Sequence, residues 1–148
     1  MQELEEHDDL LLVVTFYVGN RLLGIRTEKI QEIIKIGVIT DVPHAPGHII
    51  GILNLRGRIV TVIDLGIRLS LGTSQRGEEG RIIILDDGGE SVGLMVDRIA
   101  DVIRIDPQEL TPPPANMKLS QSNFFDTVYR FQGGLVGLLA VDAVLAID

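Results

Sequence analysis

The side chains that could carry out chemistry are few in this 148-residue chain, and their spacing favours no reacting site. Two of the three histidines, His44 and His48, have the i, i+4 spacing of a helical metal site, but Pro46 and Gly47 stand between them. Because proline and glycine break a helix, the two imidazoles are not expected to point at one ion. Cysteine is absent, which excludes disulfides, thiolate ligands and a cysteine nucleophile. The sequence therefore predicts no metal and no cofactor.

The glycine-rich segments and the carboxylates do not suggest a reaction either. The runs at 87–89 (D-G-G) and 132–134 (Q-G-G) lack the lysine of a phosphate loop and the spacing of a dinucleotide site, so they indicate hairpin turns. No serine stands in a nucleophile-elbow pattern, and no two carboxylates stand in contexts that suggest opposed acid and base roles. We therefore expect a protein that is not an enzyme.

One charged side chain stands out from this background. Arg56 lies in the segment G-I-L-N-L-R-G (residues 51–57), after one apolar strand and before another that ends at Asp64. A guanidinium between apolar strands needs a carboxylate partner or an exit to solvent. Glu32 or Asp64 would serve as the partner in a structural ion pair, and a charge held in one geometry would also suit recognition. The sequence is compatible with both roles.

The bulk composition limits the class of protein. The net charge is −8 and the 13 Lys and Arg residues form no block, which argues against nucleic-acid binding. No apolar run reaches the roughly 18 residues of a membrane span. The acidic residues 1–8 are unlike a secretory signal and are expected to be a disordered tail on a cytoplasmic protein. With 45% hydrophobic and only 4% aromatic residues, the core should be aliphatic.

Short, β-branched apolar runs separated by glycine predict an all-β protein. The predicted strands are 10–17, 22–26, 59–63, 81–85, 91–96, 128–131 and 136–141. The glycines at 19, 88 and 89 stand where tight hairpins need a positive φ. One helical turn is expected at 27–30 and another at 96–99, each running into a strand. A polar stretch at 70–80 marks the joint between two halves.

The two halves repeat each other. Gly19 and Gly88 begin stretches that align without a gap at an offset of 69 residues, as far as Pro43 and Pro112. Ile30 and Ile99 are identical partners in this register, and charge type repeats as well. A self-similarity of this length indicates a duplicated folding unit. Together with the short strands, it favours two small barrels over one sandwich.

The motifs, taken in order, resemble the CheW-type coupling proteins of bacterial chemosensory arrays. The likeness runs from about residue 10 to 146. It rests on Phe16 in the first strand, K-I-Q-E-I at 29–33, V-P-H-A-P at 42–46, G-I-L-N-L-R-G at 51–57, I-D-L at 63–65 and V-G-L-M-V-D-R-I-A-D-V at 92–102. The resemblance implies two intertwined five-stranded SH3-like β-barrels with short helical turns, related by internal duplication. The first barrel would span about residues 15–78, and the second about 9–14 plus 79–148.

The resemblance also implies a function and its surfaces. Such proteins are non-catalytic adaptors that couple methyl-accepting chemotaxis receptors to the regulatory domain of a CheA-type histidine kinase. They are cytoplasmic, are recruited to membrane receptor clusters without inserting, and are expected to be monomers when free. The receptor tip would bind in a groove between the barrels, on Ile30, Glu32, Arg56, Ile82, Ile99 and Val102; the alternative for the four aliphatic residues is a plain core position.

A second, hydrophobic surface would meet the kinase, with Gly51, Gly57 and Ile59 as its expected residues. The chain departs from the family pattern at Thr61, Thr127 and Ala140, which leaves the output pathway open. A double-barrel protein-binding module that acts in a two-component pathway outside chemotaxis is the alternative function.

Overall fold

The computed structural model describes residues 9–73, 77–115 and 123–146, and strands dominate it. The strands are β1 (Leu11–Val18), β2 (Arg21–Arg26), β3 (Ile30–Lys35), β4 (Ile49–Leu55), β5 (Arg58–Asp64), β6 (Arg81–Asp87), β7 (Glu90–Val96), β8 (Arg98–Ile105), β9 (Phe125–Phe131) and β10 (Gly134–Leu139). Two short α-helices, α1 (Leu65–Arg68) and α2 (Val141–Leu145), follow β5 and β10. Single 3-10 turns lie at Thr27–Lys29 and Pro107–Glu109.

The strands form two five-stranded sheets. The first sheet has the order β8-β1-β2-β10-β9, and the second sheet has the order β3-β6-β7-β5-β4. No ladder joins the two edge strands of either sheet in the described ranges, so closure into SH3-like barrels is not confirmed. One isolated β-bridge in each sheet links the segment after one edge strand to the other edge strand. Thr40 after β3 pairs with Ile52 of β4, and Thr111 after β8 pairs with Val128 of β9.

The hairpins are exchanged between the two halves of the chain. The hairpin β1–β2 comes from the first half but lies in the first sheet beside β8, β9 and β10. The hairpin β6–β7 comes from the second half but lies between β3 and β5 of the second sheet. The expected barrel boundaries, residues 15–78 and 9–14 plus 79–148, therefore do not describe the sheets. The reason is that each hairpin pairs with the strands of the opposite repeat.

The duplication extends further than the sequence match. Strand β9, β10 and helix α2 repeat β4, β5 and α1, since the turn residues Arg56 and Gln132, 76 residues apart, share a φ of 50°. The irregularities also repeat: β3 shifts register against β6 between Ile30 and Glu32, and β1 shifts against β8 beside Ile99 and Asp101. Bulges are structural features and are not random defects. Their occurrence at equivalent positions indicates that the two sheets have the same strand arrangement.

Both faces of the central strands are buried, which follows from strand alternation. One face contributes to an inter-sheet core, which contains Phe16 and Leu85 and is completed by residues of both short helices. The other face contributes to a core within each sheet, around Ile82 in the second sheet and around Val13 in the first. The buried residues are chiefly Ile, Leu and Val, as the composition predicts.

Two local predictions were wrong. The helical turn at 27–30 is present as a 3-10 turn, but no helical turn forms at 96–99. There the chain turns at Asp97, whose N–H donates to the Tyr17 carbonyl at 3.0 Å and whose carboxylate accepts the Gly19 N–H at 2.7 Å. The last predicted strand, 136–141, ends at Leu139, and Val141 begins α2. The predicted disordered tail, residues 1–8, lies outside the described residues.

Candidate partner-binding site

An ion pair joins the two edges of the second sheet. The Arg56 guanidinium donates from Nη2 to Oε2 of Glu32, and their side chains are 65% and 30% exposed. Arg56 lies in the turn between β4 and β5, and Glu32 lies on β3, the opposite edge strand. The pair therefore fastens the turn to the far edge of the sheet while leaving the guanidinium in contact with solvent.

The sequence N-L-R-G explains the geometry of this turn. Arg56 and Gly57 have φ values of 50° and 83°, which is the pattern of a two-residue turn that follows strand twist. The Asn54 side-chain oxygen accepts the Gly57 N–H at 2.9 Å and stabilises it. Of the two expected partners of Arg56, Glu32 is confirmed. Asp64 instead caps α1, where its carboxylate accepts the Ile67 N–H at 3.2 Å.

Ile30 and Ile99 approach the same cluster from different sheets. Each lies at the start of an edge strand, β3 or β8, and each is partly buried against the inter-sheet core. Their cross-strand partners are also equivalent, since Ile30 pairs with Leu85 and Ile99 pairs with Phe16. The repeat register thus identifies two side chains that pack against the same inter-sheet core from different sheets.

Exposed aliphatic side chains lie farther along the same two edge strands, β3 and β8. Val102 is 53% exposed and pairs with Val14, two ladder steps from the pairing of Ile99. Ile33, its partner at the 69-residue offset, is 37% exposed and pairs with Ile83. Ile33 is not one of the expected contact residues. The repeat register would have found it, because it places Ile33 opposite Val102 as it places Ile30 opposite Ile99.

Ile82 corrects the expected contact set. It is fully buried and belongs to the core within the second sheet, together with Val60, Ile84 and Met95. Its neighbours on β6, Ile83 and Leu85, are the ones that face the inter-sheet core. Ile82 therefore cannot touch a partner in this structure, and its contribution is to the packing beneath β3.

The expected kinase surface contains one exposed apolar residue and one buried glycine. Ile59 is 57% exposed, and Gly57 is exposed in the turn beside it. Gly51 is buried, and a Cβ there would collide with the carbonyl oxygen of Thr40. Gly51 thus permits the bridge between Thr40 and Ile52 and does not itself present a contact surface.

Val38 enlarges the surface around Ile59. It is 88% exposed, the most exposed of the large apolar side chains in the described ranges. A shallow cavity of about 350 Å³ lies between them, lined by Val38, Thr40, Ile52, Leu53, Asn54 and Ile59. Sequence reasoning missed Val38, because a lone valine between two breaks in regular structure carries no pattern. Contiguous exposed apolar surface of this kind is typical of a protein contact.

Two titratable side chains in the described residues have shifted pKa values, and they belong to His48 and Tyr129. Burial, and secondarily the charge of Arg68, lowers the pKa of His48 below its usual value. Burial, with a smaller effect of Glu109, raises the pKa of Tyr129. His44 lies in a turn with a φ of 63°. No group of three or more metal-ligating side chains occurs within residues 9–73, 77–115 and 123–146. Nor is any helix in those ranges long and apolar enough to cross a membrane.

The fold and these surfaces define a duplicated β protein with exposed apolar side chains and an exposed arginine that is paired with a carboxylate. Comparison with known proteins gives the family. Residues 12–148 match the CheW-like domain, so the chain belongs to the CheW-like family. The chain is 35% identical to the "Chemotaxis protein CheW" of Treponema pallidum over 73% of its own length and 66% of that protein.

Two further relatives cover more of the chain. The Helicobacter pylori "Chemotaxis protein CheW" is 26% identical over 97% of this chain and 87% of that protein. The crystal structure of the scaffolding protein TtCheW from Thermoanaerobacter tengcongensis superposes with a TM-score of 0.86 at 30% identity, covering 93% of this chain and 89% of that one. Both the motifs and the fold therefore support the resemblance drawn from the sequence.

Proposed function

We propose that the protein is a non-catalytic chemosensory adaptor that couples methyl-accepting chemotaxis receptors to a CheA-type histidine kinase in signalling arrays. Membership of the CheW-like family supports this function, and the similar solved structure is described as a scaffold. The observation that carries the proposal is that Ile30 and Ile99 pack against one inter-sheet core from different sheets, with exposed aliphatic side chains on the same strands. Such a face suits a helix that inserts aliphatic anchors.

The receptor surface would consist of Ile30, Ile99, Ile33 and Val102, with the Glu32–Arg56 pair at its rim. The aliphatic residues would supply affinity through burial of apolar area. Arg56 is held by Glu32 in one orientation, so a charged group on the receptor would meet a donor that loses little freedom on binding. The rim charge would chiefly set register and specificity.

The kinase surface would consist of Ile59, Val38 and the turn at Gly57, on the outer side of β4 and β5. Separate receptor and kinase surfaces would let one molecule hold both partners at once. The sheets would curl into SH3-like barrels, as in the resemblance drawn from the motifs. The protein would be a cytoplasmic monomer when free and would join membrane receptor clusters through its partners.

A binding assay with three variants tests the proposal. The purified protein would be titrated with a soluble cytoplasmic fragment of a methyl-accepting receptor and, separately, with the CheA-type kinase. Ile30→Asp and Ile99→Asp should each weaken receptor binding by about tenfold or more, because a buried carboxylate costs more than 1.4 kcal/mol. Arg56→Glu should weaken the same binding by a smaller factor, since its charge lies at the rim.

Ile59→Asp is the matched control, because it places the same charge on an exposed isoleucine of the other surface. It should weaken kinase binding and leave receptor binding unchanged. Circular dichroism would verify that each variant folds. Loss of receptor binding in only one of the Ile30 and Ile99 variants would contradict a shared groove, and failure of the wild-type protein to bind either partner would contradict the adaptor function.

A further inference from the structure

Two cations lie directly opposite each other on the second sheet. Lys35 of β3 and Arg81 of β6 are cross-strand partners. Like charges in this position destabilise a sheet. Within residues 9–73, 77–115 and 123–146 neither side chain forms a salt bridge, although the protein carries a net charge of −8. In the described part of the chain, the second sheet thus holds two adjacent cations that form no ion pair, on a predominantly acidic protein.

The two cations belong to the same face as the proposed receptor surface. Ile33 and Ile83 form the neighbouring cross-strand pair on that face, two residues before Lys35 and two after Arg81. Arg81 is half-buried, and its Nη1 donates to the carbonyl oxygens of Glu78 at 3.0 Å and Gly80 at 2.7 Å. The guanidinium is therefore already oriented, so an anion that binds it would not bear the full entropic cost of ordering an arginine.

The other repeat lacks this arrangement. At the 69-residue offset Lys35 corresponds to Arg104, and Arg81 corresponds to Leu12. Arg104 and Leu12 also form a cross-strand pair. Leu12 is 46% exposed, so an apolar side chain stands where the second sheet has its second cation. The two otherwise equivalent faces therefore differ in charge at this point.

We propose that Lys35 and Arg81 bind a carboxylate that lies beside the apolar stripe of the receptor helix, and that this contact fixes the direction in which the helix lies across the two repeats. The inference rests on the proposed receptor surface. A symmetric apolar groove would accept a helix in either direction. Two cations at only one end of the groove would favour the helix direction that brings an acidic side chain to that end. Lys35 and Arg81 would both donate charge-assisted hydrogen bonds to its carboxylate.

Titration of the receptor cytoplasmic fragment at 50 mM and 300 mM NaCl tests the inference. Lys35→Glu should weaken binding by about tenfold at 50 mM and by clearly less at 300 mM, because the lost contact is electrostatic. Arg104→Glu, the same charge change at the repeat partner, should alter binding by no more than about twofold. Lys35→Arg should restore wild-type affinity.

A stability measurement separates a binding role from a structural one. Glutamate at position 35 would face Arg81, so the thermal midpoint of Lys35→Glu should rise by roughly 1–3 °C while binding falls. Unchanged binding by Lys35→Glu, or an equal loss in Arg104→Glu, would overturn the inference while the adaptor function stands. If the wild-type protein fails to bind the fragment at all, the adaptor function falls, and the inference falls with it.

Discussion

Arg68 connects the two repeats through the end of the C-terminal helix, and its replacement should be the most informative stability test. Its guanidinium donates to the carbonyl oxygens of Val144 at 2.9 Å, Ala143 at 3.2 Å and Ala146 at 2.6 Å. Its Cζ also lies 4.9 Å from the centre of the Phe124 ring. The carbonyl groups in the last turn of a helix have no hydrogen-bond donor within the helix. Arg68, which lies in α1, therefore supplies donors that cap the C-terminal end of α2.

The expected loss follows from these contacts. Arg68→Met keeps most of the alkyl chain and removes the hydrogen bonds and the cation. The bonds to Val144 and Ala143 are partly buried and contribute about 1 kcal/mol each, whereas water can replace the exposed bond to Ala146. The contact with the ring adds about 0.5–1 kcal/mol. The free energy of unfolding should therefore fall by about 2–3 kcal/mol, which lowers the thermal midpoint by roughly 4–10 °C.

Arg98→Met is the matched control for this experiment. Arg98 also stacks on an aromatic ring, with its Cζ 4.0 Å from the centre of Tyr17, but its ion pair with Glu79 is exposed and long at 3.9 Å. Its replacement should cost only about 0.5–1 kcal/mol. Urea unfolding followed by circular dichroism would measure both variants. Equal losses in the two would refute the reasoning, because the carbonyl bonds would then contribute nothing.

Two further predictions concern packing and pH. Gly93→Ala should destabilise the protein by about 1–3 kcal/mol in urea unfolding, because the new Cβ would lie 2.5 Å from Cγ2 of Ile82. Gly37→Ala is the control, since no atom lies within 4 Å of its new Cβ, and it should be neutral or stabilising. A similar loss of stability in both variants would contradict the packing argument. Because the native pKa of His48 is lowered, the unfolded chain binds the proton more tightly, so stability should fall as pH drops below about 6.5. His48→Gln should make that decline smaller. If the free energy of unfolding of the variant falls as much between pH 7.5 and 5.5 as that of the wild-type protein, the prediction is contradicted.

The sequence revealed the duplication because repeated residues have repeated surroundings. The identity of Ile30 with Ile99 followed from the repeat, and the need for a carboxylate beside Arg56 followed from its position between apolar strands, which left Glu32 and Asp64 as alternatives. Ile82 was misassigned because β6 is apolar on both faces, so alternation cannot say which isoleucine faces a partner. The repeat of β4, β5 and α1 was missed because its offset changes to 76 residues after Pro112, and R-F-Q-G at 130–133 shares only its last letter with N-L-R-G at 54–57.

The first sheet also depended on information that local sequence does not contain. Nothing in β1 or β2 indicates that they pair with β8 and β10, because a strand specifies its faces but not its neighbours. The same limit explains why the expected barrel boundaries were wrong. Tertiary exchange of hairpins has no signature in composition or periodicity.

The exchange of hairpins has a consequence for the order of events during synthesis. Strand β1 pairs with β8, and Leu23 of β2 pairs with Gly137 of β10. At a translation rate of about 5–20 residues per second, Gly137 is made roughly 6–23 s after Leu23. The first hairpin must therefore emerge from the ribosome long before its sheet exists, with apolar side chains on both faces. The second sheet, whose strands β3–β7 are all made by Val96, can be completed first, and the first sheet must wait for β8, β9 and β10.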